Sequence, residues 1–347
     1  MERARRPGVR LGHGGLTMAP VAFGIFDHVD RSDEPLGTLF EQRLRLAEAA
    51  DAAGFRTYHV AEHHATRLGM APSPGIFLAA VAQRTRRLRF GPLVYLLPLY
   101  TPLRLIEEIC MLDQLSGGRF ELGVGRGIVP YELAYCGINF MDAQEIYEET
   151  LAIVLAGLRG GRLTHQGRHY TYRGVPMELE CVQAPHPPLW QGVVRPDGAA
   201  EAARRGVNIV STLGNAPLKQ VAQSFYDAGG KSLFVGAQRH VLVADTDAEA
   251  MRLARPAYQR WYESLTSLWR AFNSVPFRFS ESLEKALANE VAIVGSPATV
   301  RAEVERHVAA TGCNYFVGRF MYGNLPHEAA ARSMDLFARE VMPHFAR

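Results

Sequence analysis

Strand-like and helix-like stretches alternate along this chain almost from end to end, and that alternation limits the possible folds more than any other feature. Short apolar runs at 21–28, 57–63, 88–98, 120–127, 189–194, 207–212, 240–244 and 315–321 read as eight strands. Between and after them, helical spacing marks 38–53, 76–84, 101–115, 143–158, 199–205, 218–227, 299–310 and 326–342. Gly54 closes the first of these helices, and Pro102 sits in the first turn of the third. Strands separated by helices pair in parallel, because a parallel neighbour needs a crossover. Eight such units favour an α/β fold of the closed (β/α)8 type over an open doubly wound sheet. No G-x-G-x-x-G follows the first strand, which weakens the dinucleotide-binding alternative.

Two segments break the rhythm. Residues 161–187 suggest a hairpin excursion after the fourth helix. Residues 248–289 carry Trp261, Tyr262, Trp269, Phe272, Phe277 and Phe279 and form an aromatic-rich insertion before the eighth strand. This insertion reads either as a lid over a site or as an amphipathic helix pair completing the core or a dimer interface.

At the N-terminus, Arg3, Arg5 and Arg6 precede an apolar run that superficially resembles a signal peptide. No small-residue cleavage site follows it, since Asp27, His28 and Asp30 come next. Met18 reads as a possible start, with 1–17 an over-read or disordered extension ahead of a single barrel domain at 18–347. No other run approaches the roughly 18 apolar residues of a membrane span. Lys+Arg 38 against Asp+Glu 35 leaves a net +3 without a block of like charge, which argues against a nucleic-acid surface. Cys110, Cys136, Cys181 and Cys313 lie far apart with no C-x-x-C, so free thiols in a reducing cytoplasmic compartment are expected.

In a (β/α)8 barrel the chemistry sits at the C-terminal strand ends. The second strand ends Glu62-His63-His64. Adjacent residues on an extended chain point apart, so this triplet reads poorly as a metal site. Histidine acid/base chemistry and ordinary loop hydrogen bonding are the remaining readings. The fourth strand ends Gly123-Val124-Gly125-Arg126-Gly127, whose alternating glycines either clear a shelf for a flat ring or allow close strand packing. Arg126 reads as a phosphate ligand or a rim ion pair. The fifth strand leaves through Val193, Val194, Arg195, Pro196, Asp197 and Gly198 into a helix. That is an anion site, unless Asp197 caps the helix itself.

Glu62-His63-His64, the segment YTPLRLIEEICMLDQLSGGRFELGVGRG from Tyr100 to Gly127, and the tail LPHEAAARSMDLFAREVMP from Leu325 to Pro343 together resemble the bacterial luciferase-like monooxygenases. The resemblance covers roughly 20–343 and is weakest over 248–289. It implies a (β/α)8 barrel binding reduced FMN or the deazaflavin F420. It places His63 at the family's catalytic histidine, with Glu62 beside it, and Arg126, flanked by Gly125 and Gly127, at the flavin phosphate. Leu93-Val94 falls where many members have a non-proline cis peptide under the flavin, and Val194, Arg195 and Gly198 fall in the strand-five phosphate loop. Three features depart from the family pattern. Gly125 stands where luciferases carry a cysteine, and Arg195 and Pro196 replace small hydroxyl residues. A further phosphate arginine on the fourth helix is absent, with Gln144 or Glu145 near that position.

The reading that follows is a monooxygenase using reduced FMN, supplied by a separate flavin reductase. O2 and the flavin would form a C4a-peroxyflavin that oxidises a small organic substrate. No metal, nucleic acid or membrane is expected as a partner, and a homodimer is expected because the family usually forms one. The alternatives are an F420-dependent reductase or dehydrogenase transferring hydride, and a non-catalytic flavin-binding barrel. The Gly125-Arg126-Gly127 ending of the fourth strand and the Tyr131-Glu132 pair resemble FMN-binding members of the family more than F420-binding ones.

Overall fold

The computed structural model describes residues 21–274 and 279–345. The proposed extension at 1–17, Met18 and Phe277 lie outside them. The strands are β1 (Ala22–Asp27), β2 (Thr57–Val60), β3 (Arg89–Pro92), β4 (Tyr95–Leu96), β5 (Leu122–Gly125), β6 (Gly161–Gln166), β7 (Thr171–Met177), β8 (Leu189–Gly192), β9 (Asn208–Ser211), β10 (Val235–Val243), β11 (Ala292–Gly295) and β12 (Tyr315–Arg319). The helices are α1 (Leu36–Ala53), α2 (Pro74–Arg84), α3 (Pro102–Ser116), α4 (Pro130–Tyr135), α5 (Ala143–Gly157), α6 (Pro196–Arg204), α7 (Asn215–Asp227), α8 (Asp247–Ala271), α9 (Leu283–Ala288), α10 (Pro297–Thr311) and α11 (His327–Glu340).

The hydrogen-bonded path runs β3-β2-β1-β12-β10-β9-β8-β5-β4, all in parallel. β3 and β4 are two pieces of one strand position, separated by the cis Leu93–Val94 peptide. A bridge from Phe90 to Phe120 brings that position against the chain entering β5. Nine strand pieces therefore fill eight positions of a nearly closed barrel, the expected (β/α)8 architecture.

Two apolar layers hold it. Phe26, Ala61, Leu93, Trp190, Val210, Tyr315 and Val317 fill the inside of the barrel, and a larger cluster lies between strands and helices. Fully burying one such large side chain contributes roughly 1.5–3 kcal/mol. Below the mouth, His59 Nε2 meets the Tyr315 hydroxyl at 3.0 Å. Burial pulls that imidazole down to about 3, so it serves as neutral packing.

The excursion after the fourth helix is the antiparallel β6–β7 hairpin, with a register shift between Leu163 and His165. Two expectations change. β10 begins at Val235 rather than 240, because Gly236, Gln238 and Arg239 interrupt its apolar run although every residue in it is buried. β11 was not anticipated; it pairs with the far half of β10, off the main circuit.

The aromatic-rich segment opens with α8, a helix of 25 residues capped by the Thr246 side chain, which accepts from the Glu249 N–H at 3.2 Å. Tyr258, Trp261 and Tyr262 are buried in its middle. Near its C-terminus, Trp269 meets the Tyr131 ring edge-on, and Phe272 stacks on the same ring with centroids 4.0 Å apart. This helix is thus part of the packed wall. All four cysteines are free, although Cys110 and Cys181 bring their sulfurs to 3.7 Å. Among the described residues no helix is long and apolar enough to cross a membrane.

Candidate functional site

A cavity of about 830 Å³ opens at the C-terminal ends of β2, β4, β5 and β8. It gathers the catalytic candidate His63 with the cofactor-binding candidates Glu62, Leu93, Val94, Gly125, Arg126, Gly127, Val194, Arg195 and Gly198. Those residues span 137 positions of sequence, and the barrel brings them together by aligning the strand ends.

The chain leaving β2 carries Glu62, His63 and His64, and the two histidines turn to different carboxylates. His63 Nδ1 lies 2.9 Å from Glu132 Oε1 on α4, and that oxygen also accepts the His64 N–H at 3.3 Å. Glu132 is buried, so the contact fixes the imidazole against rotation. Among the described residues no protein group hydrogen-bonds Nε2, the other ring nitrogen. His64 Nε2 instead meets Glu62 Oε1 at 2.8 Å. Glu62 Oε2 accepts from the Leu96 N–H at 2.9 Å and the Tyr100 hydroxyl at 3.0 Å. Burial pushes Glu62 above the usual carboxylate range against those donors, while its hydrogen bond raises His64. Glu62 therefore braces the wall around β4, its oxygens taken up by protein donors. No group of three His, Cys, Asp or Glu among the described residues is placed to hold a metal ion.

The glycines of β5 answer the shelf question. A Cβ at Gly123 would collide with the Pro92 carbonyl oxygen, and one at Gly125 with Cγ2 of Val94. They let β5 approach the Leu93–Val94 segment closely, so the close-packing reading holds. The apolar face toward the cavity comes instead from Phe26, Ala61, Leu93 and Val94.

Of the cations, Arg126 stands apart. Its guanidinium lies 4.9 Å from the Phe140 ring centroid, its Nε reaches the Gly127 carbonyl at 3.4 Å, and it has no ion pair among the described residues. Arg195 lines the same cavity but is exposed and pairs with Asp197 at 3.1 Å, a partial self-neutralisation. The first turn of α6 carries no side-chain cap, so Asp197 leaves those N–H groups free. Gln144 lines the cavity, whereas Glu145 turns to Arg168. An unneutralised guanidinium, free helix N–H groups and an apolar wall in one cavity suit a flat ring system bearing a phosphate.

Sequence reasoning missed Glu132 as the partner of His63, along with Tyr147, Gln191 and Arg205, which also line the cavity. The Gln191 amide donates to the Tyr147 hydroxyl at 2.6 Å. His28 was missed too. Its ring is 5.4 Å from that of His63, its Nδ1 accepts from Trp261 Nε1 at 3.2 Å, and burial together with Arg319 keeps it neutral.

Comparison with known proteins adds a family. The family described as luciferase-like monooxygenase matches residues 21–314. The uncharacterized protein y4wF of Sinorhizobium fredii is 39% identical, covering 93% of this chain and 96% of that one. The 4-hydroxyprotoasukamycin monooxygenase of Streptomyces nodosus subsp. asukaensis is 29% identical, covering 94% and 93%. The oxygenase component of the flavin-dependent trigonelline monooxygenase of Acinetobacter baylyi is 27% identical over 66% of each chain. Among solved structures, the monooxygenase RslO1 of Streptomyces bottropensis superposes with a TM-score of 0.85 at 28% identity, covering 94% of this chain and all of that one. A type II Baeyer-Villiger monooxygenase of Pseudomonas putida, solved in complex with FMN, shares the fold at a TM-score of 0.77 and 23% identity, covering 93% and 98%.

Proposed function

The chain belongs to the luciferase-like monooxygenase family, and from that premise we propose that it is the oxygenase of a two-component system. In this reading it takes reduced FMN from a separate reductase and oxidises a small organic substrate with O2. The observation that supports this most is the single cavity uniting the His63–Glu132 pair with the unneutralised Arg126. Two relatives point the same way, one named flavin-dependent and an oxygenase component, the other solved with FMN.

Reduced flavin, when bound, supplies two electrons to O2, so that one oxygen atom goes to the substrate and the other leaves as water. Arg126 binds the phosphate, with the Gly198 end of α6 and Arg195 beside it. Leu93, Val94 and Val194 exclude water from the ring's surroundings, which limits wasteful peroxide release. His63 holds or delivers a proton at Nε2 while Glu132 fixes its Nδ1. Glu62 keeps the wall at Leu96 in place, and Gly125 and Gly127 keep the strand exit narrow. The same reading takes 18–347 as one barrel domain acting in the cytoplasm as a homodimer.

The test is anaerobic titration with reduced FMN followed by rapid mixing with oxygenated buffer. Bound flavin is expected to reoxidise at a rate unlike that of free flavin, with little hydrogen peroxide released once a substrate is present. Failure to bind, or reoxidation identical to that in free solution, would overturn the proposal and turn attention to F420 and hydride transfer.

A further inference from the structure

A second cavity, of about 400 Å³, is lined from β10, β12 and α8 rather than from β2, β4, β5 and β8. Gln238, His240 and Arg319 enter it from the strands, and Tyr258 and Trp261 from the helix. Arg319 is 5% exposed and Gln238 7%. The Arg319 guanidinium lies between two rings, 5.0 Å from the Phe26 centroid and 4.9 Å from that of Trp261. Its Nη1 donates to His240 Nε2 at 2.6 Å. Its Nε and the Gln238 Nε2 have no acceptor.

The surroundings do not neutralise this cation. Arg319 has no ion pair among the described residues. Asp30 and Asp27 act on it only from longer range, and both are engaged by Arg43. His240 is kept neutral by burial and by Arg319 itself. Glu290 also lines the cavity, but it holds Asn215 and Arg306. Burial pulls Arg319 down to about 10, which leaves it charged at neutral pH. A buried charge without a partner is costly, as is a buried N–H without an acceptor. A carboxylate would answer both, whereas a neutral carbonyl would leave the charge unmet.

We propose that this second cavity seats the carboxylate of an organic acid, with Arg319 and Gln238 as its donors. That the acid is the substrate rests on the monooxygenase reading above. Contacts between the walls of the two cavities, which set them side by side at the barrel mouth, support it. Phe26 lines the first cavity and packs on Arg319, while Trp261 bonds His28, whose ring lies against His63. The anchor at Arg319 and the His63 ring are therefore separated by one packed layer of side chains, Phe26, His28 and Trp261. The anchor, rather than the acid's apolar body, selects acids over their neutral analogues.

The test uses flavin-free protein and three pairs of probes: benzoate and benzamide, cyclohexanecarboxylate and its amide, octanoate and octanamide. Calorimetry and tryptophan fluorescence report binding. At least one acid is expected to bind roughly tenfold more tightly than its amide, as a charge-assisted hydrogen bond implies. Arg319→Gln is expected to erase that preference, and Arg319→Lys to retain part of it. Gln238→Leu should weaken acid binding several-fold, and it carries the test if Arg319→Gln does not fold. Equal affinity for acid and amide in every pair, no binding of any acid, or a preference that survives these substitutions would overturn the proposal. Reduced FMN is titrated separately into the wild-type protein. A failure there counts against the flavin reading and leaves the acid preference to stand or fall alone.

Discussion

Asp30 sits just beyond β1, fully enclosed, with Arg43 Nη2 at 3.6 Å and the Gly323 N–H donating to it. Arg43 and the Gly323 N–H favour its ionised form, but desolvation outweighs them and pushes the carboxyl from 3.8 up to about 7. Below about pH 4 both the folded and the unfolded chain hold this proton. Between about pH 4 and 7 the unfolded chain has lost it and the folded chain keeps it, so folding becomes less favourable as pH rises. Above about 7 the loss is complete. At roughly 1.4 kcal/mol per pH unit, the interval amounts to about 4 kcal/mol, of which about 3 kcal/mol falls between pH 5 and 7. Asp30→Asn removes the titration while keeping the shape. Urea unfolding of both proteins from pH 5 to 8, followed by tryptophan fluorescence, should show the variant gaining on the wild type by up to that amount as pH rises. The gain should level off above about pH 8. Parallel curves would refute the reasoning. A variant that loses ground with rising pH would show that Arg43 holds the carboxylate more strongly than burial opposes it.

Other perturbations separate packing from chemistry. Gly123→Ala should lower stability by about 1–3 kcal/mol, since its Cβ meets backbone at Pro92. Gly37→Ala in α1, with open space around the new methyl, should raise stability by about 0.5 kcal/mol, and thermal melts of the two should move in opposite directions. Arg126→Gln is expected to weaken FMN binding about tenfold or more while leaving riboflavin affinity unchanged, and equal losses for both ligands would remove Arg126 from the phosphate. His63→Ala should cut product formation about 100-fold or more. Adding Glu132→Gln to it should cost little further, because the two act as a unit; independent losses would separate them.

Much of this architecture was readable in the chain because barrel strands are short apolar runs between helices, and runs such as 21–28 and 315–321 announce themselves. The first half of β10 did not, since Gln238 and Arg239 are buried polar residues that break the run for reasons only the tertiary structure supplies. Site residues at strand ends, such as His63 and Arg126, were found because the fold dictates where to look. Their partners were not. Glu132 lies 69 residues from His63, and His240 lies 79 from Arg319. No local periodicity encodes contacts across a closed barrel. The β5 glycines show the converse case, a visible pattern whose meaning depends on what stands opposite.

That opposition shapes how this protein can change. Gly123 and Gly125 face the backbone at Pro92 and the Val94 side chain, so almost any substitution there meets matter already in place. Selection has little raw material along this side of the mouth. On the side formed by β10, β12 and α8, Gly236, Gly318 and Gly323 are hemmed in the same way, but Tyr258 and Trp261 of α8 line the second cavity with bulk that can be traded for side chains of similar volume. Diversification of what the barrel accepts should therefore accumulate on that side, with the β5 side passed on nearly unaltered.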